Sequence, residues 1–361
     1  MRFIDINQIK EGMIVGRKVI GQSGQLLLNH GAKIERSYIE KIRKLGYMGI
    51  YIEDELSNGI EVVDVIDDTL RHKTVSSIKS FYQKAEEGRG LKQKDMANIS
   101  FLVNEMLDKI LADKNILVNM MDLKIFDDYT FSHSVNVGVL SMSLGAFMNI
   151  GRDSLYQLGL ASVMHDLGKV FIPKEILNKP GKLTDTEFTV MKTHSEKGYE
   201  HLIHSLGFPE NISIAVLDHH ERYDGSGYPN KKAGKDISRL GGIIALTDVF
   251  DALTSDRPYR KALTPSEATE YVMGGCNTQF AEKTVKAFLN KIAPYPVGTL
   301  VKLSNGMIGI VMENYSDCCL RPKVRIIQHG TERVAPYEMD LKHAPELLMI
   351  TITESYNSFI E

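Results

Sequence analysis

The sequence predicts a mainly α protein: a helical bundle flanked by a small N-terminal α/β unit and a small C-terminal β unit. Its 361 residues exceed one small domain. From Val62 to about residue 290, apolar residues recur at helical spacing. On either side of that block, short apolar runs are separated by glycine-bearing turns. The expected organisation is an accessory α/β domain at 1–60, a helical linker region at 61–115, a helical domain at 116–293 and a β accessory domain at 294–361.

In the first unit, Met13 to Ile20 and Gln25 to Leu28 flank Gly21-Gln22-Ser23-Gly24, which reads as a hairpin. Ser37 is a candidate cap for a helix with Ile39, Ile42 and Leu45 on one face; Gly46 ends it, and Gly49 to Ile52 reads as a returning strand. Glu53 to Glu61 is acidic and holds Asn58-Gly59, so it reads as a linker. Val75, Ile78 and Tyr82 then fit one helix face. After Gly88-Arg89-Gly90, a stripe of Ile99, Leu102, Val103, Met106, Leu107, Ile110 and Leu111 predicts a second helix, its apolar face serving core or a homodimer contact. His72 stands alone among polar neighbours and reads as a surface residue. Pro294-Tyr295-Pro296 breaks the helical pattern. Strands follow at 299–303, 307–312 and 324–328, the first two joined by Ser304-Asn305-Gly306, a hairpin turn in what reads as a barrel-like unit. His329 and His343 lie there without partners at ligand spacing and read as surface residues.

Composition narrows the function classes. Net charge is −3, and 43% of residues are hydrophobic, so neither a nucleic-acid-binding body nor a membrane-surface protein is expected. Three cysteines, two of them adjacent at Cys318 and Cys319, make no disulfide framework, and Met1-Arg2-Phe3 opens no signal peptide; the expected setting is the reducing cytoplasm. Ser134 to Gly151 is uncharged and long, but its Asn136, Ser141, Ser143, Asn149 and glycines make a buried core helix the better reading than a membrane span.

Residues with chemistry gather in the helical block. His165-Asp166 closes the apolar run from Leu160 to Met164, and Gly168 ends that segment. His219-His220 opens a loop, Glu221 to Pro229, fixed by Gly225, Gly227 and Pro229. His133 precedes the apolar helix, His194 follows Met191-Lys192-Thr193, and Asp248 sits in Ile243 to Ala252 with Asp251 three residues on. Each residue alone has an ordinary structural explanation. Together they are the donor set of a metal pair, because imidazole gives a directional nitrogen and a carboxylate can bridge two cations. Asp251, on the same helix face as Asp248, reads as an acceptor that orients a ligand.

These motifs, His165-Asp166 with Gly168-Lys169, His219-His220-Glu221, Asp224-Gly225, Gly227-Tyr228-Pro229 and Asp248 to Leu253, resemble the HD-GYP family, a branch of the HD-domain metal-dependent phosphohydrolases. The resemblance covers roughly residues 116 to 290 and implies a helical HD-GYP bundle there. It implies hydrolysis of cyclic di-GMP to linear pGpG, or onward to GMP, by attack of a metal-bridging hydroxide. It implies two divalent transition metal ions, commonly iron or manganese. One ion would take His133, His165, Asp166 and Asp248; the other would take Asp166, His194, His219 and His220. Asp166 and Lys169 would be catalytic, and Lys169, Tyr228, Arg257, Arg260 and Asp251 would contact substrate. Arg257 and Arg260 also admit a plain helix-end salt bridge.

Two positions depart from the family pattern. Three-metal members carry a glutamate four residues before the first histidine, where this chain has Tyr129 after Asp127 and Asp128; two metals and a linear product are expected. Where the family often has an arginine six residues before the last aspartate, this chain has Gly242, with Arg239 one turn earlier. The alternatives are a catalytically weak cyclic di-GMP receptor, separated by turnover of metal-loaded protein, and an HD-type hydrolase of another nucleotide, separated by substrate competition.

Overall fold

A computed structural model describes residues 1–21, 25–45, 47, 49–88, 93–112, 117, 129–255 and 262–356. The mainly α architecture with a small sheet unit at either end is present.

In the N-terminal unit, β1 (Arg2–Asp5), β5 (Gly49–Glu53) and β2 (Ile14–Val15) form an antiparallel sheet in the order β1-β5-β2. Strands β3 (Val19–Ile20) and β4 (Leu26–Leu28) pair as the expected hairpin. Helix α1 (Arg36–Lys44) buries Ile42 against Ile4, Val15, Ile34, Ile50 and Ile52. Ser37 is not its cap: Glu35 is the last extended residue, so the helix begins earlier and Ser37 falls inside its first turn.

Helices α2 (Asp68–Glu86), α3 (Gln93–Ala112), α4 (Tyr129–Phe147), α5 (Arg152–Met164), α6 (Lys174–Leu177), α7 (Asp185–Lys192), α8 (His194–Glu200), α9 (Glu210–Asp218), α10 (Arg239–Thr254), α11 (Pro265–Gly274) and α12 (Glu282–Lys291) make the bundle. α4 is its centre, packed by α2, α3, α5, α10 and α12. Every residue from Ser132 to Ala146 is buried, which is why this helix is apolar on all sides. No helix among the described residues is long and apolar enough to cross a membrane.

The helices expected as a linker share this core. Ile99, Leu102, Val103, Met106, Leu107 and Ile110 of α3 are buried with Ile78, Phe81 and Tyr82 of α2 against Val135, Val139 and Val163. The stripe is thus occupied within one chain. His72 is not a surface residue: it is buried beside Arg71 and Thr74, because α2 is covered on more than its apolar face. Burial also pushes the His72 pKa below its ordinary value.

Two contacts tie the flanking units down. Arg17 of the N-terminal unit forks onto Asp64 and onto Asp68 in the first turn of α2, with its Nη2 2.6 Å from both carboxylates. In the C-terminal unit, β6 (Leu300–Leu303), β7 (Met307–Glu313), β8 (Lys323–His329), β9 (Glu332–Asp340) and β10 (Ile352–Tyr356) form one antiparallel sheet in the order β10-β6-β7-β8-β9. The Asn305-Gly306 turn joins β6 to β7, with Gly306 at φ 82°. His329 and His343 are exposed. Strand β9 was not foreseen because it is an edge strand dominated by exposed polar residues and lacks a clean alternation. Arg325 of β8 donates to the carbonyls of Leu56 and Asn58, and Ile60 packs on Leu300, Ile310 and Ile327, so the two flanking units meet each other.

Candidate metal centre and substrate pocket

The ligand-type residues arrive from separate elements. His133 lies near the start of α4, His165 closes α5, and Asp166 follows as the chain leaves the helix. His194 begins α8, His219 closes α9 with His220 next, and Asp248 lies within α10. Gly168 makes the approach possible. A Cβ there would lie 1.8 Å from the His194 carbonyl oxygen and 2.6 Å from the Gly198 nitrogen, so only glycine lets the His165-Asp166 turn rest on α8.

The residues converge as two groups, His133, His165 and Asp248 in one and Asp166, His194, His219 and His220 in the other. Within each, one donor atom per residue lies within 4.8 Å of the others. Asp166 faces both. Its Oδ2 is 3.4 Å from His165 Nε2 and 4.0 Å from His133 Nε2, while its Oδ1 is 3.6 Å from His194 Nε2. His133 Nε2 is 3.1 Å from Asp248 Oδ1.

The same local device orients several rings. Nδ1 of His165 bonds the Ser162 carbonyl at 2.7 Å, Nδ1 of His194 the Met191 carbonyl at 2.8 Å, and Nδ1 of His219 the Val216 carbonyl at 2.5 Å. Each carbonyl lies three residues back, at the end of the preceding helix. A carbonyl only accepts, so Nδ1 carries the proton and Nε2 presents its lone pair inward. The inward nitrogens then meet: His194 Nε2 faces His219 Nε2 at 3.3 Å with no donor between them, and His220 Nε2 lies 3.1 Å from His194 Nε2. His165 Nε2 is fully buried and has no hydrogen-bond partner among the described residues. Converging lone pairs beside carboxylates fit divalent cations bound by nitrogen and oxygen.

Electrostatics agrees. Burial lowers the pKa of His194 to about 4 and of His220 to about 3, and drives His219 down as well, so these rings are neutral near neutral pH, the form that could ligate a cation. His133 is the exception: burial opposes a proton on it, but hydrogen bonds to Asp248 and Asp251 outweigh burial and carry its pKa up to about 10, so a cation would have to displace the proton from its Nε2. Burial likewise works against charge on Asp166 and Asp248. Lys169 and His165 beside the first, and His133 bonded to the second, nonetheless hold both carboxyls well below the usual range.

A cavity of about 600 Å³ opens over the second group, with His219, His220, Tyr228, Phe188, Lys192 and Arg222 in its wall. Tyr228 lies over His220, ring centroids 4.7 Å apart and 32° between planes. Its loop is held close: the Tyr228 N–H donates to the His220 carbonyl, and Glu221 accepts from the N–H groups of Asn230 and Lys232. A Cβ at Gly227 would lie 2.3 Å from the Arg222 nitrogen, so the turn needs glycine there. Asp218, fully buried, anchors the far side of the loop through Lys232 Nζ and Ser238 N–H. Lys169 is part-exposed and donates to Asp166 Oδ2 at 2.6 Å.

Some expected substrate contacts lie elsewhere. Asp251 is buried, with one oxygen on His133 Nδ1 at 2.7 Å and the other on Asn136 Nδ2 at 3.1 Å; it backs a histidine and does not face the cavity. Arg257 and Arg260 lie outside the described residues, as do Asp127, Asp128 and the side chain of Tyr129. Arg239 and Gly242 line a separate cavity of about 430 Å³ on the other side of Glu221 and Gln279. Phe188, Lys192 and Arg222 were missed from sequence. The available signal was Phe188 and Lys192 four apart on one helix, the same spacing as countless surface pairs.

A family model described as "HD domain" matches residues 105–279, and one described as "KOW domain associated with HD domain" matches residues 300–357. The cyclic di-GMP phosphodiesterase PA4108 of Pseudomonas aeruginosa is 35% identical over 275 residues, 74% of this chain and 66% of that protein. The 3'3'-cGAMP-specific phosphodiesterase 2 of Vibrio cholerae is 34% identical over 189 residues, 52% of this chain and 36% of that protein. The chain thus spans under two thirds to about one third of these relatives' lengths. Among solved structures, Bd1817, a HDG"Y"P protein from Bdellovibrio bacteriovorus, superposes with a TM-score of 0.52 at 16% identity, covering 79% of this chain and 97% of that one, which is a likeness of fold.

Proposed function

We propose, on the premise that this chain belongs to the HD-domain family in its HD-GYP branch, that it is a metal-dependent phosphodiesterase. Its substrate would be a cyclic dinucleotide, cyclic di-GMP, cut to the linear dinucleotide. The observation that carries the reading is Asp166, whose two oxygens face two separate histidine groups. His133, His165, Asp166 and Asp248 would hold one divalent transition ion, iron or manganese, and Asp166, His194, His219 and His220 the other. Ions held there would acidify water and withdraw charge from phosphoryl oxygens.

The chain's own residues supply the rest. The backbone-bonded histidines keep their ligand nitrogens fixed, so no reorganisation is needed as substrate enters. Lys169, bonded to Asp166, would offer its ammonium to a phosphate of the substrate. Tyr228 and Phe188 present aromatic faces to a base, and Lys192 lies 5.0 Å from the Phe188 ring centre and 5.8 Å from that of Tyr228, beside a site for anionic substrate.

The deciding experiment is metal analysis of anaerobically purified protein joined to a hydrolysis assay. The expected result is two equivalents of iron or manganese and conversion of cyclic di-GMP to pGpG in preference to 3'3'-cGAMP. Protein that carries both metals and binds cyclic di-GMP without turning it over would make it a receptor and end the enzyme reading.

A further inference from the structure

Arg71 lies on α2, before the span that the HD-domain family model matches. It is nevertheless joined to the metal centre by a buried chain of hydrogen bonds. Arg71 Nη1 donates to Asn136 Oδ1 at 2.9 Å, and Asn136 Nδ2 donates to Asp251 Oδ1 at 3.1 Å. Asp251 Oδ2 meets His133 Nδ1 at 2.7 Å, and His133 Nε2 faces Asp248 Oδ1 at 3.1 Å. Arg71, Asn136, Asp251 and His133 are all at most 4% exposed.

Each link has one allowed direction. A guanidinium only donates, so the amide atom turned toward Arg71 is oxygen. The nitrogen of the same amide therefore faces Asp251, and a carboxylate only accepts. The remaining Asp251 oxygen takes the Nδ1 proton of His133, so Nε2 is the nitrogen left to ligate a cation beside Asp248 and Asp166 once that cation has displaced its proton. Without Arg71 the Asn136 carbonyl loses its buried donor, so the amide is held from one side only and its grip on the Asp251 carboxylate loosens. We propose that Arg71 is a positioning residue for the metal centre, fixing the ring and tautomer of His133 through Asn136 and Asp251. A helix outside the family domain thereby sets the affinity of one ligand group and not of the other. The inference rests on the two-metal reading above.

The test is titration of the full chain with Mn²⁺ alone, followed by calorimetry and by the Mn²⁺ electron-paramagnetic signal, with His133→Ala marking which transition belongs to its group. Arg71→Met is expected to weaken the His133, His165 and Asp248 group by about 10- to 100-fold, as loss of a ligand's supporting hydrogen bonds does. The His194, His219 and His220 group should keep its affinity. Arg71→Lys, which retains a donor-only head, should recover most of the loss. A residue that only stabilised the fold would lower the melting temperature without separating the two groups. Should Arg71→Met fail to fold, Arg71→Gln carries the same comparison, because its head keeps the packing but can present oxygen or nitrogen. Unchanged Mn²⁺ affinities in the folded variant, or an equal loss in both groups, overturn the inference and leave the metal reading standing. Wild-type protein that takes up no Mn²⁺ overturns both.

Discussion

Asp166 has one carboxylate facing two histidine groups, so its removal should be felt by both. Asp166→Ala is expected to reduce bound metal from two equivalents to less than one and to abolish turnover; metal analysis and the hydrolysis assay check this. Tyr228 lays its ring over that of His220, and its hydrogen bond to that residue is made by the backbone, which a side-chain truncation leaves in place. Tyr228→Ala should therefore retain metal while raising KM for the dinucleotide about 10-fold, the cost of one lost base–aromatic stack. The convergence of the candidate ligand residues was legible in sequence because doublets such as His165-Asp166 and His219-His220 interrupt apolar runs, where an uncoordinated polar group would be costly. Arg71 and Asn136 were not. Their significance arises from a contact between residues 65 apart, and neither has a neighbour that marks it out.

At the scale of elements, Gly168 decides how near the His165-Asp166 turn can lie to α8. Gly168→Ala must push them apart, because the obstacle is backbone and cannot swing away. It should destabilise the protein by about 1–3 kcal/mol, the usual cost of overpacking, and loosen the second metal group first; thermal unfolding with and without Mn²⁺ would show both. Helix α7, which carries Phe188 and Lys192, begins in a capping box between Thr184 and Glu187. Hydrogen bonding from Lys179, then from the Thr184 backbone, lowers the Glu187 pKa to about 2. A depressed carboxyl pKa stabilises the fold above the unfolded value and is lost as pH falls through the folded one. The start of α7 should thus hold down to about pH 4.5 and fray as pH approaches about 2, read by amide exchange along α7. The long helices were legible in sequence, α3 from its periodic apolar stripe and α4 from its long uncharged run. Periodicity failed for His72, which is buried although Arg71, Lys73 and Thr74 beside it are polar.

Across the whole molecule, the flanking units meet at Arg325, which reaches the carbonyls of Leu56 and Asn58. Arg325→Ala should cost about 1.5–3 kcal/mol, as expected for a hydrogen bond to a charged group, and should expose the 54–60 segment to limited proteolysis before the bundle opens. The existence of three kinds of unit was legible from the change of period along the chain. Their mutual packing was not, because hydrophobic patterning tells which face is buried and not what buries it.

The fork of Arg17 on Asp64 and Asp68 has a mechanical corollary. Any rotation of the N-terminal unit that leaves this grip intact must drag the opening turn of α2 along with it, and Arg71 sits a single turn further. Whatever tugs on that outer module thus holds a lever whose far end rests on an imidazole.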